Sequence, residues 1–194
     1  QREGRAKDGI DKTDPALLKM LAMGRRELSL GDSLSELHLV PVAISYEFDA
    51  CDILKAEELH AIEKDGSFTK NEQTDIHSIV TGMIGFKGHV HVGFGSELGI
   101  NSDEPELIAE LIDEQILRNY RLSDANYIAA EMLLEKGELL DPALDAVIKE
   151  KIISEEVREI FFERISKTQP ALVKHLLFGY ANPLINKLKS DLEL

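Results

Sequence analysis

A short charged run at residues 1–9 is the stretch of this chain whose residue types are best suited to binding a ligand. The cations Arg2, Arg5 and Lys7 lie there beside the carboxylate of Glu3 and beside Gly4. Arg5 and Lys7 could clamp a phosphate group, because arginine binds phosphate through paired hydrogen bonds and lysine binds it as a point charge. Gly4 would let a ligand approach the backbone, and Glu3 could orient a hydroxyl group or hold a cation. The alternative interpretation is a solvated charged turn.

Two further pieces of sequence give this run a context. Residues 39–47 form an apolar stretch interrupted by Pro41, and residues 88–95 read Gly-His-Val-His-Val-Gly-Phe-Gly. Together with the Glu-Gly-Arg run, and in the same order, these pieces resemble the second half of a glycerolipid acyltransferase domain. In that family a Glu-Gly-(Thr or Gly)-Arg motif contacts the phosphate of the acceptor, and a proline-containing apolar strand lies beside the same site.

The resemblance implies an activity and a set of binding residues. The family moves a fatty acyl group from a coenzyme A or carrier-protein thioester to glycerol 3-phosphate or lysophosphatidate, without a metal or a further cofactor. Carried over to this chain, the substrate-binding residues are Glu3, Gly4, Arg5, Lys7 and Pro41. The arginine follows the glutamate more closely here than in the family motif, so that Arg5 or Lys7 takes the phosphate role.

The family's catalytic base, a histidine in a His-x4-Asp motif, lies upstream of the Glu-Gly run. We therefore expect the chain to be the C-terminal portion of a longer enzyme and to have no catalytic residue of its own. His60 and Asp65 match the motif literally, but they follow the run instead of preceding it. On the predicted helix a step of five residues also turns the two side chains apart, so we interpret them as a solvated helix end.

The charge and composition of the chain exclude some classes of binding partner. The chain has 194 residues and a formal net charge of −14, although residues 1–26 carry seven Lys or Arg against four Asp or Glu. An acidic body argues against nucleic acid, because phosphate contacts need clustered cations. The single cysteine excludes an internal disulfide, and no apolar run is long enough to span a bilayer. We expect a cytoplasmic location, or a peripheral one on the inner face of the membrane through the upstream part.

The pattern of apolar residues predicts an α/β fold for residues 1–100. The stretch from His38 to Tyr46 is typical of a strand buried on both faces, and Gly88 to Phe94 alternates as a half-buried strand does. Two helices are predicted between them, at residues 50–64 and 71–84, so we expect a partial, mostly parallel sheet with covering helices. Helical periodicity alone continues through residues 101–194, which predicts an all-helical appendage.

Four other types of side chain that could bind a ligand or react are explained at least as well by structural roles. His89 and His91 share one face of their predicted strand, which is the spacing of two metal ligands, but a third ligand is not evident. Cys51 has acidic neighbours in sequence, which disfavour a catalytic thiolate. Ser45 and Tyr46 could line an acyl or acceptor site, although packing is the simpler role for both.

The first hypothesis is a portion of an acyltransferase that binds a phosphorylated acceptor and an acyl thioester but is inactive by itself, because the catalytic histidine and aspartate lie upstream. Two other hypotheses remain. One is a non-catalytic helical interaction or regulatory module, in which residues 1–9 are only a charged turn. The other is a relative of the acyltransferases that has lost activity. The amphipathic helices of residues 103–190 are expected to pack as core, with a dimer surface or an acyl-chain groove as the alternative.

Overall fold

The structure is a computed structural model that describes residues 6–25, 27–69 and 71–192. In chain order, its elements are α1 (Pro15–Ala22), α2 (Leu30–Ser35), β1 (Val42–Tyr46), α3 (Asp52–Asp65), α4 (Glu72–Ile84), β2 (Val90–Phe94), α5 (Pro105–Asn119), α6 (Asp124–Glu135), α7 (Pro142–Glu150), α8 (Glu155–Ser166) and α9 (Pro170–Leu192).

The fold is mostly helical, and the prediction of an α/β fold with a partial, mostly parallel sheet is wrong. The described strands form a two-stranded antiparallel sheet. The backbone N–H of Glu47 donates to the carbonyl of His89 at 2.9 Å, and that of Gly95 donates to the carbonyl of Pro41 at 2.8 Å. A single helix between strands favours a parallel crossover. Here two helices, α3 and α4, connect the strands and return the chain to the end of the sheet that it left.

Short capping signals set the helix boundaries. Asp14 accepts a hydrogen bond from the N–H of Ala16 at 2.9 Å, and Pro15 occupies the first turn of α1. Asp141 caps α7 in the same way. Gly66 ends α3 with a φ of 75°, a left-handed conformation that glycine adopts without a side-chain penalty.

The sheet buries small residues and exposes large apolar ones. In β1, Ala43 and Ser45 are buried, whereas Val42 and Ile44 are 39% and 49% exposed. In β2, Val92 and Phe94 are 46% and 70% exposed. The expectation that β1 is buried on both faces is therefore wrong for the described structure. We call the surface formed by Val42, Ile44, Val92 and Phe94 the open sheet face.

The described residues form two compact units, each with its own core. Unit 1 contains Ala6, Asp11–Ser45 and His91–Arg121, and unit 2 contains Lys7–Ile10, Tyr46–Val90 and the chain from Leu122 onward. In unit 1 the core cluster is formed by the buried residues Leu18, Leu34, Ile108 and Ala109. Unit 2 has the larger core, to which α6, α8 and α9 contribute Ile128, Leu133, Phe161, Leu176, Leu177 and Leu184, among others.

Candidate functional site

The structure describes two of the five predicted substrate-binding residues. Glu3, Gly4 and Arg5 lie outside the described residues, as does Arg2. Lys7 belongs to unit 2 and Pro41 belongs to unit 1. Each is therefore described with the neighbours in its own unit.

Lys7 is held by an internal ion pair. Its ammonium group contacts the carboxylate of Glu58 on α3, and its side chain is 25% exposed. The loop that follows packs on α9: the carbonyl of Asp8 accepts a hydrogen bond from Asn182 at 2.7 Å. Because a carboxylate already neutralises its charge, Lys7 would bind a phosphate only by exchanging Glu58 for it.

Gly9 allows this loop to lie directly against α9. Its φ is 78°, and a Cβ atom added to it would lie 2.3 Å from the carbonyl oxygen of Gly179. Any other residue would meet both a strained backbone conformation and a backbone clash. The position of Lys7 therefore depends on a glycine that the resemblance does not single out.

Pro41 lies at the start of the sheet, next to a cavity. Its side chain is buried, and β1 begins at the residue that follows it. Proline has no N–H to donate to a strand ladder, which fits a position just outside the strand. The carbonyl of Pro41 accepts the hydrogen bond from Gly95, and Gly95 lines the cavity. Pro41 thus helps to fix the backbone at one wall of that cavity.

The cavity of unit 1 has a mixed lining and a volume of about 450 Å³, within the range of small-molecule sites. Its walls come from the end of β2, the segment after it and α5. The lining residues are Phe94, Gly95, Ser96, Leu98, Gly99, Leu111, Glu114, Gln115, Arg118 and Asn119. Gln115 accepts a hydrogen bond from the N–H of Ser96 at 2.8 Å, and Arg118 pairs with Glu114 at 2.5 Å. An anionic ligand would meet a guanidinium that already has a carboxylate partner.

Ser45 and Cys51 have structural contacts. The hydroxyl oxygen of Ser45 is buried and accepts a hydrogen bond from the N–H of Arg121 at 2.9 Å. The thiol of Cys51 is buried and lies 3.5 Å from the carbonyl oxygen of Ser78. Ser45 therefore joins β1 to the segment after α5, and Cys51 joins the start of α3 to α4, whereas Tyr46 is 38% exposed on the sheet.

The histidines whose side chains converge are not the ones that share a predicted strand face. His89 bonds to Glu47, its Nδ1 lying 2.9 Å from the Glu47 carboxylate. Within the described residues, the three metal-ligating side chains that come together are His60, Glu63 and His175, whose ligand atoms all lie within 4.8 Å of one another. His60 is half-buried, whereas Asp65 is exposed at the end of α3. The i,i+3 spacing of His60 and Glu63 on α3 was a visible signal, but nothing in the sequence indicated that His175 would join them.

Sequence reasoning also missed a buried ionic network in unit 2. The guanidinium of Arg164 donates to both carboxylate oxygens of Asp52 and, at 2.9 Å, to the carbonyl of Asp49. The hydroxyl of Tyr180 donates to Asp52 at 2.8 Å and accepts from the N–H of Asp49 at 2.8 Å. Asp52 and Tyr180 are each 5% exposed, so this network stabilises the fold and offers little access to a substrate.

The network shifts two ionisation equilibria. Burial lowers the pKa of Arg164, but the hydrogen bond and the charge of Asp52 outweigh it, so that the net shift is upward. Burial raises the pKa of Tyr180 well above its ordinary value, and the negative charge of Asp52 raises it further. Both groups are therefore held in their protonated forms at neutral pH.

This arrangement predicts alkaline destabilisation. A tyrosine in the unfolded chain loses its proton at about pH 10, whereas Tyr180 in the folded protein keeps its proton at that pH. The folded state then binds more protons, so the free energy of unfolding is expected to fall as pH rises from about 10 through the raised pKa. Urea unfolding measured from about pH 8 to about pH 11 tests this. Tyr180→Phe should flatten the slope and Tyr46→Phe should not; equal slopes for both variants would contradict the assignment.

Comparisons of the chain with protein-family models, with curated proteins and with solved structures found no match. No helix among the described residues combines the length and the apolar character that crossing a membrane requires.

Proposed function

We propose that this chain is part of an acyltransferase that moves a fatty acyl group from an acyl thioester to a phosphorylated glycerol acceptor in phospholipid synthesis. The proposal rests on the Glu-Gly-Arg run, the Pro41 stretch and the Gly88–Gly95 stretch of the sequence. It assigns residues 1–100 to the C-terminal half of the acyltransferase-like domain, residues 101–194 to a helical appendage and the catalytic histidine to the upstream half.

The open sheet face is the structural observation that carries the proposal. An isolated pair of strands is marginally stable in water, and contiguous exposed apolar surface on a protein marks a place where something else binds. Val42, Ile44, Val92 and Phe94 are the β-branched and aromatic residues that a sheet normally buries against a second layer. Such a face is expected where another part of a domain packs on the sheet as a second layer, as the upstream half of an acyltransferase domain would.

Each predicted residue has a role in this reaction. Arg5 and Lys7, with Arg2 in reserve, would bind the acceptor phosphate and place the acceptor hydroxyl at the thioester carbon. Glu3 would hold the acceptor or the cations, and the backbone at Pro41 would shape the floor of the groove. The upstream histidine would take the hydroxyl proton as the new ester bond forms and the thiol leaves. The reaction needs no metal ion and no cofactor beyond the thioester.

The alternative is a non-catalytic interaction or regulatory module, and α4 is the element that favours it. None of the side chains of α4 is buried. Ile76, Ile79 and Met83 are 59%, 60% and 75% exposed, and they lie at helical spacing on one face. An apolar helix face of this kind suits a groove on a partner protein.

Ligand-induced stabilisation of the full-length polypeptide separates the two functions. Glycerol 3-phosphate or an acyl-coenzyme A is expected to raise the melting temperature, because a ligand that binds only the folded state stabilises it. Arg5→Ala should weaken acceptor binding by about tenfold to a hundredfold, the loss expected for a hydrogen bond to a charged group. Lys7→Ala should weaken acceptor binding less, because the ammonium group of Lys7 already forms an ion pair with Glu58.

Lys12→Ala is the matched control for Arg5→Ala, because Lys12 is an exposed cation in the same basic segment. It should leave acceptor binding unchanged. If neither compound changes the melting temperature, or if Lys12→Ala weakens binding as much as Arg5→Ala does, the acyltransferase proposal is wrong and the interaction module is favoured.

A further inference from the structure

Three metal-ligating side chains meet on the surface of unit 2, where α3 and α9 pack together. His60 and Glu63 come from α3, and His175 comes from α9. The ring centroids of His60 and His175 are 5.7 Å apart, and Nε2 of His175 lies 2.9 Å from a carboxylate oxygen of Glu63. We propose that these three residues bind a divalent transition-metal ion, with zinc as the preferred ion. This site is independent of the proposed acyl transfer.

The two helices bring the ligands together by running antiparallel. Tyr180 on α9 bonds to Asp52 at the start of α3, and His175, earlier on α9, pairs with Glu63 near the end of α3. His60 and Glu63 are three residues apart on α3, a spacing that places both on one face of a helix. Arg164 from α8 also bonds to Asp52. The helix backbones that carry the three ligands are therefore held by contacts that do not involve the ligands themselves.

The ligand set is one that zinc uses in proteins. Two imidazoles and one carboxylate bind Zn²⁺ at about 2.0–2.2 Å, which places tetrahedral ligand atoms roughly 3.4 Å apart. The ligand atoms here lie within 4.8 Å of one another, so binding zinc requires them to move closer together by about 1.4 Å or less. Calcium and magnesium prefer sites made of oxygen atoms, and copper(I) prefers thiolates or thioethers, so this set selects against them.

Exposure and charge are also compatible with a bound cation. The side chain of His175 is 16% exposed and that of Glu63 is 65% exposed, so one side of the cluster faces water, which can complete the coordination. The neighbouring cation, Lys174, is paired with Glu138 at 2.6 Å. That pairing offsets the repulsion that the ammonium group would otherwise exert on a metal ion.

The simpler interpretation is a hydrogen-bonded pair of His175 and Glu63 with His60 packed beside it. The two interpretations differ in what His60 does. In a metal site His60 is a ligand, and its loss weakens binding strongly. In the simpler case His60 is a packing residue, and its loss changes no metal affinity.

The test is a titration of the untagged, purified chain with Zn²⁺ by isothermal titration calorimetry, after treatment with a chelator. We expect one ion to bind per chain with micromolar or tighter affinity, and the bound ion to raise the melting temperature. His60→Ala and His175→Gln should each weaken binding by about tenfold or more, since losing even an outer-sphere partner has an effect of this size. His175→Gln keeps most of the side-chain volume and can still bond to Glu63, so that folding is preserved.

His77→Ala is the control, because His77 is an exposed histidine on α4. It should leave the affinity for zinc unchanged. The proposal is overturned if the wild-type chain shows no binding in the micromolar range, or if zinc binds as tightly to either His60→Ala or His175→Gln as it does to the wild type. Binding that weakens as much in His77→Ala as in His60→Ala would also overturn it, because it would show adventitious binding to surface histidines.

Discussion

Phe161→Ala is expected to lower the free energy of unfolding by about 4 kcal/mol, within the range for deleting a buried phenylalanine ring. Phe161 lies on α8 and is 0% exposed. Its ring meets that of Tyr180 edge to face, with the centroids 5.1 Å apart. The substitution loses the burial of the ring and leaves a cavity against α9, and both losses destabilise the protein. Urea unfolding monitored by circular dichroism measures the change.

The adjacent residue supplies a matched control. Phe162 is on the same helix and has the same side chain, but it is 43% exposed. Phe162→Ala should lower the free energy of unfolding by less than about 1.5 kcal/mol, because much of its ring already contacts water. Equal destabilisation by the two substitutions would mean that the packing of α8 described above is wrong.

Asp52→Ala is expected to lower the free energy of unfolding by about 3 kcal/mol, since it leaves a largely buried cation without its carboxylate partner. Asp52 is 5% exposed and bonds to both Arg164 and Tyr180. The side chain of Arg164 is 22% exposed, so water screens part of its charge. The expected loss is therefore at the lower end of the values for fully buried pairs. Urea unfolding at neutral pH measures it.

A double-mutant cycle identifies the source of this loss. If the unpaired guanidinium causes the destabilisation, adding Arg164→Met to Asp52→Ala should restore part of the lost stability, because no buried charge then remains without a partner. Lys149→Ala, which breaks an exposed pair with Asp145 on α7, should change stability by less than about 1 kcal/mol. Strictly additive effects of Asp52→Ala and Arg164→Met would show that the two residues do not interact.

Phe161→Ala and Asp52→Ala both act on the packing of α3, α8 and α9. These helices position the two candidate ligand-binding regions of unit 2, which are the Lys7–Glu58 pair and the His60, Glu63 and His175 cluster. Asp52 begins α3, which also carries Glu58, the partner of Lys7, and the metal-ligating pair His60 and Glu63. Loss of the network should therefore weaken zinc binding along with stability. That coupling distinguishes a preorganised site from a chance meeting of surface side chains.

Local sequence signals predicted α3 and α4 well because the interactions that begin and end a helix involve residues close together in the chain. Asp14 and Asp141 cap α1 and α7 through N–H groups two or three residues away, and Gly66 ends α3. These signals do not depend on what the helix later packs against. The same holds for α4, whose N-cap at Asn71 lies where the sequence predicts a helix to begin.

Strand pairing and strand burial were not predictable in the same way. Alternation in residues 88–94 indicates a strand, but it does not say which face is covered or in which direction a neighbouring strand runs. Here the connection through α3 and α4 reverses the chain, and Ala43 and Ser45, not Val42 and Ile44, point inward. An apolar residue on a strand predicts burial only if a covering layer is present.

The sequence by itself determined the approximate positions of α3 and α4, the helical character of residues 101–194, the acidic character of the chain and the short motifs that motivate the acyltransferase proposal. Only the tertiary structure decided that the sheet is antiparallel, that Lys7 pairs with Glu58 and that His175 joins His60 and Glu63. The physical reason is separation along the chain. Caps and periodicity arise within a few residues, whereas the Asp52–Arg164 and Glu63–His175 contacts join residues more than a hundred positions apart, and these are set only when the helices pack.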